Sequence, residues 1–144
     1  MATEPVPDLW WISGSPPSWR VMLALSLKDI TFNAVRLDPA RGENRTDAYL
    51  ALNPTGQVPT LVHGAITMRE SVAILAYLDR AWQERPIFGA TLAESAAIWQ
   101  AVMVFEARLA PAGAAVARAL LGSRAHEDPA TFMQAVETLC AEID

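Results

Sequence analysis

Apolar and polar residues alternate in short blocks along the first part of the chain. Leu9–Ile12 is a run of aromatic and branched residues, and it predicts a buried strand that stops at a Ser-Pro-Pro turn. Pro17 suits a first helical turn because its missing N–H has no partner there, and good helix formers continue to Lys28. The pattern therefore predicts a strand followed by a helix that starts at Pro17.

The next blocks predict one further strand, a short helix and a two-stranded hairpin. Branched and aromatic residues favour a strand, whereas the polar segment 38–47 predicts a loop. Gly64 lies between two short apolar runs, a pattern typical of a β-hairpin with glycine at positive φ. The predicted segments are strands at 31–37, 58–62 and 66–68 and a short helix at 49–52.

A longer helix over 71–82 is predicted from apolar residues on one face, at Ile74, Leu78, Ala81 and Trp82. Ser71 is predicted to cap its start by accepting a backbone N–H. The whole order of elements is typical of a thioredoxin-like α/β domain, βαβ-α-ββα. In that order the first two strands pair in parallel across a right-handed crossover.

Beyond Arg85-Pro86 the chain is rich in alanine and predicts helices alone, at about 91–109, 112–121 and 130–143, with Pro111 as a break. We predict a flexible lead-in at 1–8, a thioredoxin-like domain at 9–84 and an all-helical domain at 85–144. The last helix runs to the final residue without a glycine cap. We therefore expect an incomplete helical domain, in a fragment of a longer protein or in a reduced relative.

Charge and composition exclude several classes of protein. The 144 residues carry 11 Lys and Arg against 16 Asp and Glu, a net charge of -5 that repels nucleic-acid phosphates. No apolar run reaches the roughly 18 to 20 residues that cross a bilayer, and no secretory signal pattern opens the chain. Lone Cys140 rules out an internal disulfide, and His63 and His126 are too sparse for a metal site. We expect a cytoplasmic protein with neither nucleic acid nor membrane as a partner.

Several motifs, in order, resemble the N-terminal domain of soluble glutathione transferases over about residues 9–82. They are Asn53–Leu61 (NPTGQVPTL), Glu70–Leu78 (ESVAILAYL) and Gly42-Glu43 ahead of Tyr49-Leu50, and Ser18–Val21 (SWRV) is closest to the serine-type zeta and phi-like classes. The resemblance implies a homodimeric detoxification enzyme that uses glutathione as co-substrate and needs no metal. Its second substrate is a small electrophile.

The resemblance also implies where the thiol is activated. Ser15 falls where serine-type members keep the activating hydroxyl, and Ser13 and Ser18 are nearby alternatives. A free thiol has a pKa near 8.5, and lowering it by about two units leaves roughly three quarters ionised at pH 7. Val58-Pro59 is expected to be cis, which turns the backbone N–H and C=O of Val58 toward the cysteinyl portion. Without that motif, a trans proline and an ordinary turn serine explain the same residues.

The two ends of the tripeptide have their own implied partners. Ser71 would bind the γ-glutamyl carboxylate and Glu70 its ammonium, in agreement with the attraction of a helix start for anions. Gln57 contacts the same portion. Arg45, or Asn44 beside it, would bind the glycine carboxylate. The alternative explanations are a capping serine beside an acidic residue and a solvated loop arginine.

Two departures limit the resemblance. Pro17 stands where zeta-class isomerases carry a cysteine, which counts against maleylacetoacetate isomerase activity, and Cys140 is interpreted as a buried apolar residue rather than a nucleophile. About half of the family's helical domain is present, so the pocket for the electrophile is not predicted. The alternative hypothesis is a non-catalytic module for dimerisation or docking.

Overall fold

The chain forms two compact units, Met1–Ile87 and Phe88–Asp144. A computed structural model describes residues 5–121 and 129–143. Residues 1–4 of the expected lead-in, His126 and Asp144 lie outside this description. The units divide between Ile87 and Phe88, close to the predicted domain boundary at residue 84.

The first unit contains four strands and three helices in the predicted order βαβ-α-ββα. Two 3-10 turns occupy the predicted polar loop. The elements are β1 (Asp8–Ile12), α1 (Pro16–Leu27), β2 (Asn33–Leu37), the turns Pro39–Arg41 and Glu43–Arg45, α2 (Asp47–Leu52), β3 (Thr60–His63), β4 (Ile66–Arg69) and α3 (Ser71–Ala81). The thioredoxin-like prediction is thus confirmed.

The four strands form one mixed sheet in the order β2-β1-β3-β4. β1 is parallel to β2, as predicted, and antiparallel to β3, which forms a hairpin with β4. Successive side chains of a strand face opposite sides. Leu9 accordingly joins the buried core with α1 and α3, whereas the ring of Trp10 lies 5.7 Å from that of Tyr49 on α2. The core residues are Leu9, Val21, Ala24, Leu25, Ile30, Leu61, Ile74 and Leu78.

The first strands and helix begin at slightly different residues than predicted, for local reasons. β1 begins at Asp8, inside the predicted lead-in, because the Asn33 side-chain amide donates to the Asp8 carboxylate over 2.8 Å. The backbone N–H of Asn33 also donates to the Pro7 carbonyl over 2.8 Å, and β2 starts there. α1 begins at Pro16 rather than Pro17 because Ser15 is its N-cap.

Two predictions on α3 were wrong. Glu70, not Ser71, occupies the cap position, with φ 62°. Ser71 is the first helical residue, and its hydroxyl accepts a hydrogen bond from Arg20 instead of from a backbone N–H. Ala81 is exposed, so its place on the packed face was wrong, whereas Trp82 packs against the core as predicted, although it is the C-cap rather than a helical residue.

In the second unit, every described element of secondary structure is helical, and residues 88–91 lead into the first helix without being helical themselves. Its elements are α4 (Leu92–Val104), a π-helical turn (Phe105–Leu109), α5 (Ala110–Leu121) and α6 (Pro129–Ile143). The chain stays helical past Pro111, so the predicted break was wrong. Proline lacks an N–H and its ring clashes with the carbonyl four residues earlier, and a widened turn just before it relieves that clash.

Cys140 is exposed, so its interpretation as a buried residue was wrong. On α6 the half-buried residues Phe132, Val136 and Leu139 recur at helical spacing and define the packed face. Cys140 lies beside that face. In the described ranges 5–121 and 129–143, no helix is long and apolar enough to cross a bilayer.

Thr91 and Glu94 form a capping box at the start of α4. The Thr91 hydroxyl accepts from the Glu94 backbone N–H over 3.2 Å, and the Glu94 carboxylate accepts from the backbone N–H groups of Thr91 (3.0 Å) and Ala90 (2.9 Å). These backbone hydrogen bonds lower the pKa of Glu94 below its ordinary value of 4.5. The carboxylate form is therefore favoured in the folded state.

This capping box is expected to weaken in acid. A lowered folded-state pKa contributes stability that is complete above the ordinary pKa and is lost as the pH falls through the folded value. Glu94→Gln keeps an acceptor oxygen but removes the charge. The difference in free energy of unfolding between wild type and Glu94→Gln, measured by urea titration, should be largest at neutral pH and shrink in acid. A difference that is the same at all pH values would contradict this prediction.

Candidate functional site

Ser15 lies at the start of α1 and caps it. Its Oγ accepts a hydrogen bond from the Ser18 hydroxyl over 3.0 Å and a longer one from the Ser18 backbone N–H over 3.4 Å. Pro16 and Pro17 fill the first turn of the helix. Ser18 is completely buried, whereas Ser15 is half-buried and Ser13 is exposed. Of the three candidate serines, Ser15 is therefore the one that both caps a helix and keeps part of its surface accessible to a ligand.

The Val58-Pro59 peptide bond is cis, as the resemblance implied. Its place in the sheet follows from the strand register. β3 pairs with β1 at Thr60↔Trp10, so the residues just before Thr60 lie level with the end of β1 that leads to Ser15. Val58 is half-buried and Pro59 is buried.

The register of the hairpin brings Glu70 and Ser71 to the same end of the sheet. Thr60 pairs with Arg69, so the start of α3 lies beside the residues that precede Thr60. Glu70 is exposed, and its φ of 62° and ψ of 112° are rare for a residue with a side chain. Ser71 is only 9% exposed.

Arg20 connects the two helix starts, a contact that sequence reasoning did not predict. Its guanidinium Nη1 donates to the Ser71 hydroxyl over 3.2 Å, from α1 to α3. This contact brings a positive charge to the first turn of α3, where the helix dipole also attracts anions. The two effects add, so this end of α3 is suited to a carboxylate.

The main-chain carbonyl of Gln57 accepts two hydrogen bonds from side chains in the interior of the first unit. The Tyr49 hydroxyl and the Asn53 side-chain amide both donate to it, the amide over 2.9 Å. Tyr49 also contacts the Thr60 hydroxyl at 2.9 Å. Burial raises the pKa of Tyr49 above its ordinary value, so the phenol stays protonated. Because C=O and the following N–H point in opposite directions across a trans peptide, the Val58 N–H is directed away from Tyr49.

Arg45 and Asn44 lie in the second 3-10 turn and contact the loop before the cis bond. The Arg45 guanidinium donates to the Thr55 carbonyl over 3.2 Å, and the Asn44 amide donates to the Gly56 carbonyl over 2.8 Å. Gly56 has φ 65°, and a Cβ there would lie 2.9 Å from the main-chain oxygen of Asn44. The positive φ and this close approach of the backbone favour glycine at position 56. The side chains of Arg45 and Gln57 are exposed.

The sheet, the cis proline and the helix start beside it define a domain of the thioredoxin-like class. Residues 14–81 match the family described as glutathione S-transferase, N-terminal domain. The first unit of this chain therefore belongs to the glutathione S-transferase family. Among the described residues, no group of three or more His, Cys, Asp or Glu side chains is placed to hold a metal ion.

Individual relatives agree with this membership. The chain is 38% identical to glutathione S-transferase 1 of Dianthus caryophyllus, over 72% of this chain and 47% of the relative. It is 36% identical to a zeta-class glutathione S-transferase of Euphorbia esula, over 65% of this chain and 42% of the relative. The chain thus spans less than half the length of these relatives.

A solved structure extends the similarity to the helical unit. The crystal structure of poplar glutathione transferase F1 is similar with a TM-score of 0.87 and 27% sequence identity, over 99% of this chain and 67% of that one. The all-helical second unit thus has its counterpart in a solved transferase.

Proposed function

We propose that this protein binds glutathione, ionises its thiol and conjugates the whole tripeptide, through its sulfur, to a small electrophile. The observation that carries the proposal is the meeting of Ser15, Val58 and Ser71 at one end of the sheet. That end offers a hydroxyl, main-chain polar groups and a helix start to one extended tripeptide. The family membership of residues 14–81 supports the same ligand.

Each portion of glutathione has a partner of matching chemistry in this proposal. The backbone N–H and C=O of Val58 bind the cysteinyl portion. Ser71 at the start of α3 binds the γ-glutamyl carboxylate, and the exposed Glu70 carboxylate binds the ammonium. Gln57 contacts the same portion, and Arg45 binds the glycine carboxylate.

The chemistry proposed for Ser15 is stabilisation of a thiolate. A hydroxyl hydrogen bond and the start of α1 both favour a negative charge on the sulfur. Lowering the thiol pKa by about two units corresponds to roughly 2.7 kcal/mol. The thiolate then forms a carbon–sulfur bond with the electrophile, and for a chlorinated aromatic ring chloride leaves with the electron pair of the broken bond. The thiolate is itself the nucleophile, so the proposed reaction involves no metal.

Calorimetry with glutathione tests the proposal most directly. Binding in the micromolar to millimolar range, together with conjugation of a chlorinated aromatic compound, is the expected result. Binding without conjugation would leave a glutathione-binding module without transferase activity. The absence of any heat of binding would reject the proposal and favour a docking module.

We also propose that the protein is a homodimer. A shallow open groove of about 430 Å³ on β4 and α3 offers an apolar surface to a second copy, and it is lined by Met68, Ala73, Ala76, Tyr77, Arg80 and Ala81. Sedimentation equilibrium tests this part separately. A monomer at all concentrations would contradict it.

Glu70→Gly is expected to change stability and binding in opposite directions. Glycine adopts φ 62° without a steric penalty, so the free energy of unfolding should rise by about 1 kcal/mol. Loss of the carboxylate should weaken glutathione binding about tenfold. Glu70→Gln is the matched control, because it removes the charge but keeps the backbone strain. Urea titration and calorimetry separate the two effects, and unchanged binding in both variants would contradict the role of Glu70.

A further inference from the structure

We propose that Ser18 is a positioning residue that makes the Ser15 hydroxyl a hydrogen-bond donor to the thiolate. The proposal rests on the function proposed above and assigns a role to a residue that does not itself touch the ligand. Its basis is the contact between the two hydroxyl groups, whose oxygens lie 3.0 Å apart with Ser18 as donor.

The hydrogen-bonding capacity of a hydroxyl explains the role. A serine oxygen has two acceptor positions and one proton to donate. The Ser15 oxygen receives the Ser18 hydroxyl and, over a longer distance, the Ser18 backbone N–H. With both acceptor positions used, the Ser15 proton is what remains for a further partner. A thiolate accepts hydrogen bonds. The Ser15 hydroxyl is therefore a donor, as stabilisation of the glutathione thiolate requires.

Burial of Ser18 favours the same direction of the contact. The Ser18 side chain has no exposed surface, so its proton is kept from bulk water and goes to a protein acceptor. Ser15 is half-buried and keeps one side accessible. The buried hydroxyl thus donates inside the protein, and the accessible one donates to the ligand.

Ser18→Ala is the test variant. Without the Ser18 hydroxyl, one acceptor position of the Ser15 oxygen is left to water. Water can accept the Ser15 proton as well as donate to the oxygen, so the proton is no longer reserved for the sulfur. The pKa of the bound glutathione thiol should rise by about 0.5 to 1 unit, because a net hydrogen bond contributes about 0.5 to 1.5 kcal/mol. Conjugation should fall about two- to fivefold near pH 6.5 and equal wild type well above the thiol pKa. The affinity for glutathione should stay within about twofold, since Ser18 makes no contact with the tripeptide.

The readout is the pH profile of kcat together with thiolate absorbance of bound glutathione in the ultraviolet. Ser26→Ala removes an exposed serine of the same helix and is the matched control. Ser18→Cys keeps the volume with a weaker donor and should give a smaller shift than alanine, and it carries the test if the alanine variant does not fold. Loss of stability alone would leave the thiol pKa unmoved.

The possible outcomes distinguish the role proposed for Ser18 from the glutathione transferase function on which it rests. If wild type binds no glutathione, both fall. If wild type conjugates glutathione and Ser15→Ala raises the thiol pKa, but Ser18→Ala and Ser18→Cys titrate like wild type, the role of Ser18 alone is overturned.

Discussion

Ser15→Ala is expected to lower conjugation about 10- to 50-fold near pH 6.5 while changing glutathione affinity little. A hydrogen bond to a charged group contributes about 1.5 to 3 kcal/mol, and the hydroxyl is proposed to make this bond to the thiolate rather than to the neutral thiol. The bound thiol of the variant should therefore titrate nearer its ordinary pKa of about 8.5. Because the thiolate forms in the variant too as the pH rises, the difference in conjugation rate between Ser15→Ala and wild type should shrink above this pKa. The pH profiles of kcat and of kcat/KM measure this.

Ser13→Ala separates this assignment from its nearest alternative. Ser13 is exposed in the turn before α1, and no element of the first unit begins at it. If Ser15 is the activating residue, Ser13→Ala should keep the wild-type pH profile. Equal activity of Ser15→Ala and wild type across the whole pH range would reject the role of Ser15.

Lys28→Met is expected to lower the free energy of unfolding by about 3 to 5 kcal/mol, the largest stability effect we predict. The Lys28 ammonium is completely buried and lies 3.0 Å from the Asp79 carboxylate. It also donates to the main-chain carbonyls of Trp82 (2.7 Å), Glu84 (3.3 Å) and Arg85 (3.1 Å). Methionine fills a similar volume but leaves a mostly buried carboxylate and three carbonyls without this donor.

The measurement is urea unfolding of the full chain, with Arg41→Met as the matched control. Arg41 also loses a positive charge, but its pair with Glu43 is 3.7 Å long and its side chain is 76% exposed. Exposed pairs contribute about 0 to 1 kcal/mol, so this variant should unfold close to wild type. Equal destabilisation by the two substitutions would show that burial of Lys28 has no special effect.

The order of the elements was predictable because apolar blocks and turn residues mark them along the chain. The exact starts were less predictable, because single side-chain contacts decide them. Ser15 moves the start of α1 to Pro16, and the contact between Asn33 and Asp8 extends the first strand pair. Cys140 shows a further limit, since it lies beside the packed face of α6 and the sequence pattern does not fix where the edge of such a face becomes exposed.

The positions of the candidate site came from the resemblance, whereas its internal contacts came from the structure. The motifs placed Ser15, Val58 and Ser71 in the site. The hydrogen bond from Arg20 to Ser71 joins residues 51 positions apart, and no local sequence pattern predicts such a contact. The sequence alone offers Ser18 as an alternative to Ser15, whereas the hydrogen bond between their hydroxyl groups supports a positioning role for Ser18.

The attachment of Gln57 has a consequence for protein engineering. Tyr49 and Asn53 hold this residue by its main-chain oxygen, and its side chain extends into solvent. If Gln57 faces the ligand as proposed, a change of its side chain would alter the binding chemistry and leave these main-chain contacts in place. Position 57 is then a suitable place for a small substitution library aimed at γ-glutamyl analogues, with proline left out because the backbone N–H of this residue donates to the Thr55 hydroxyl.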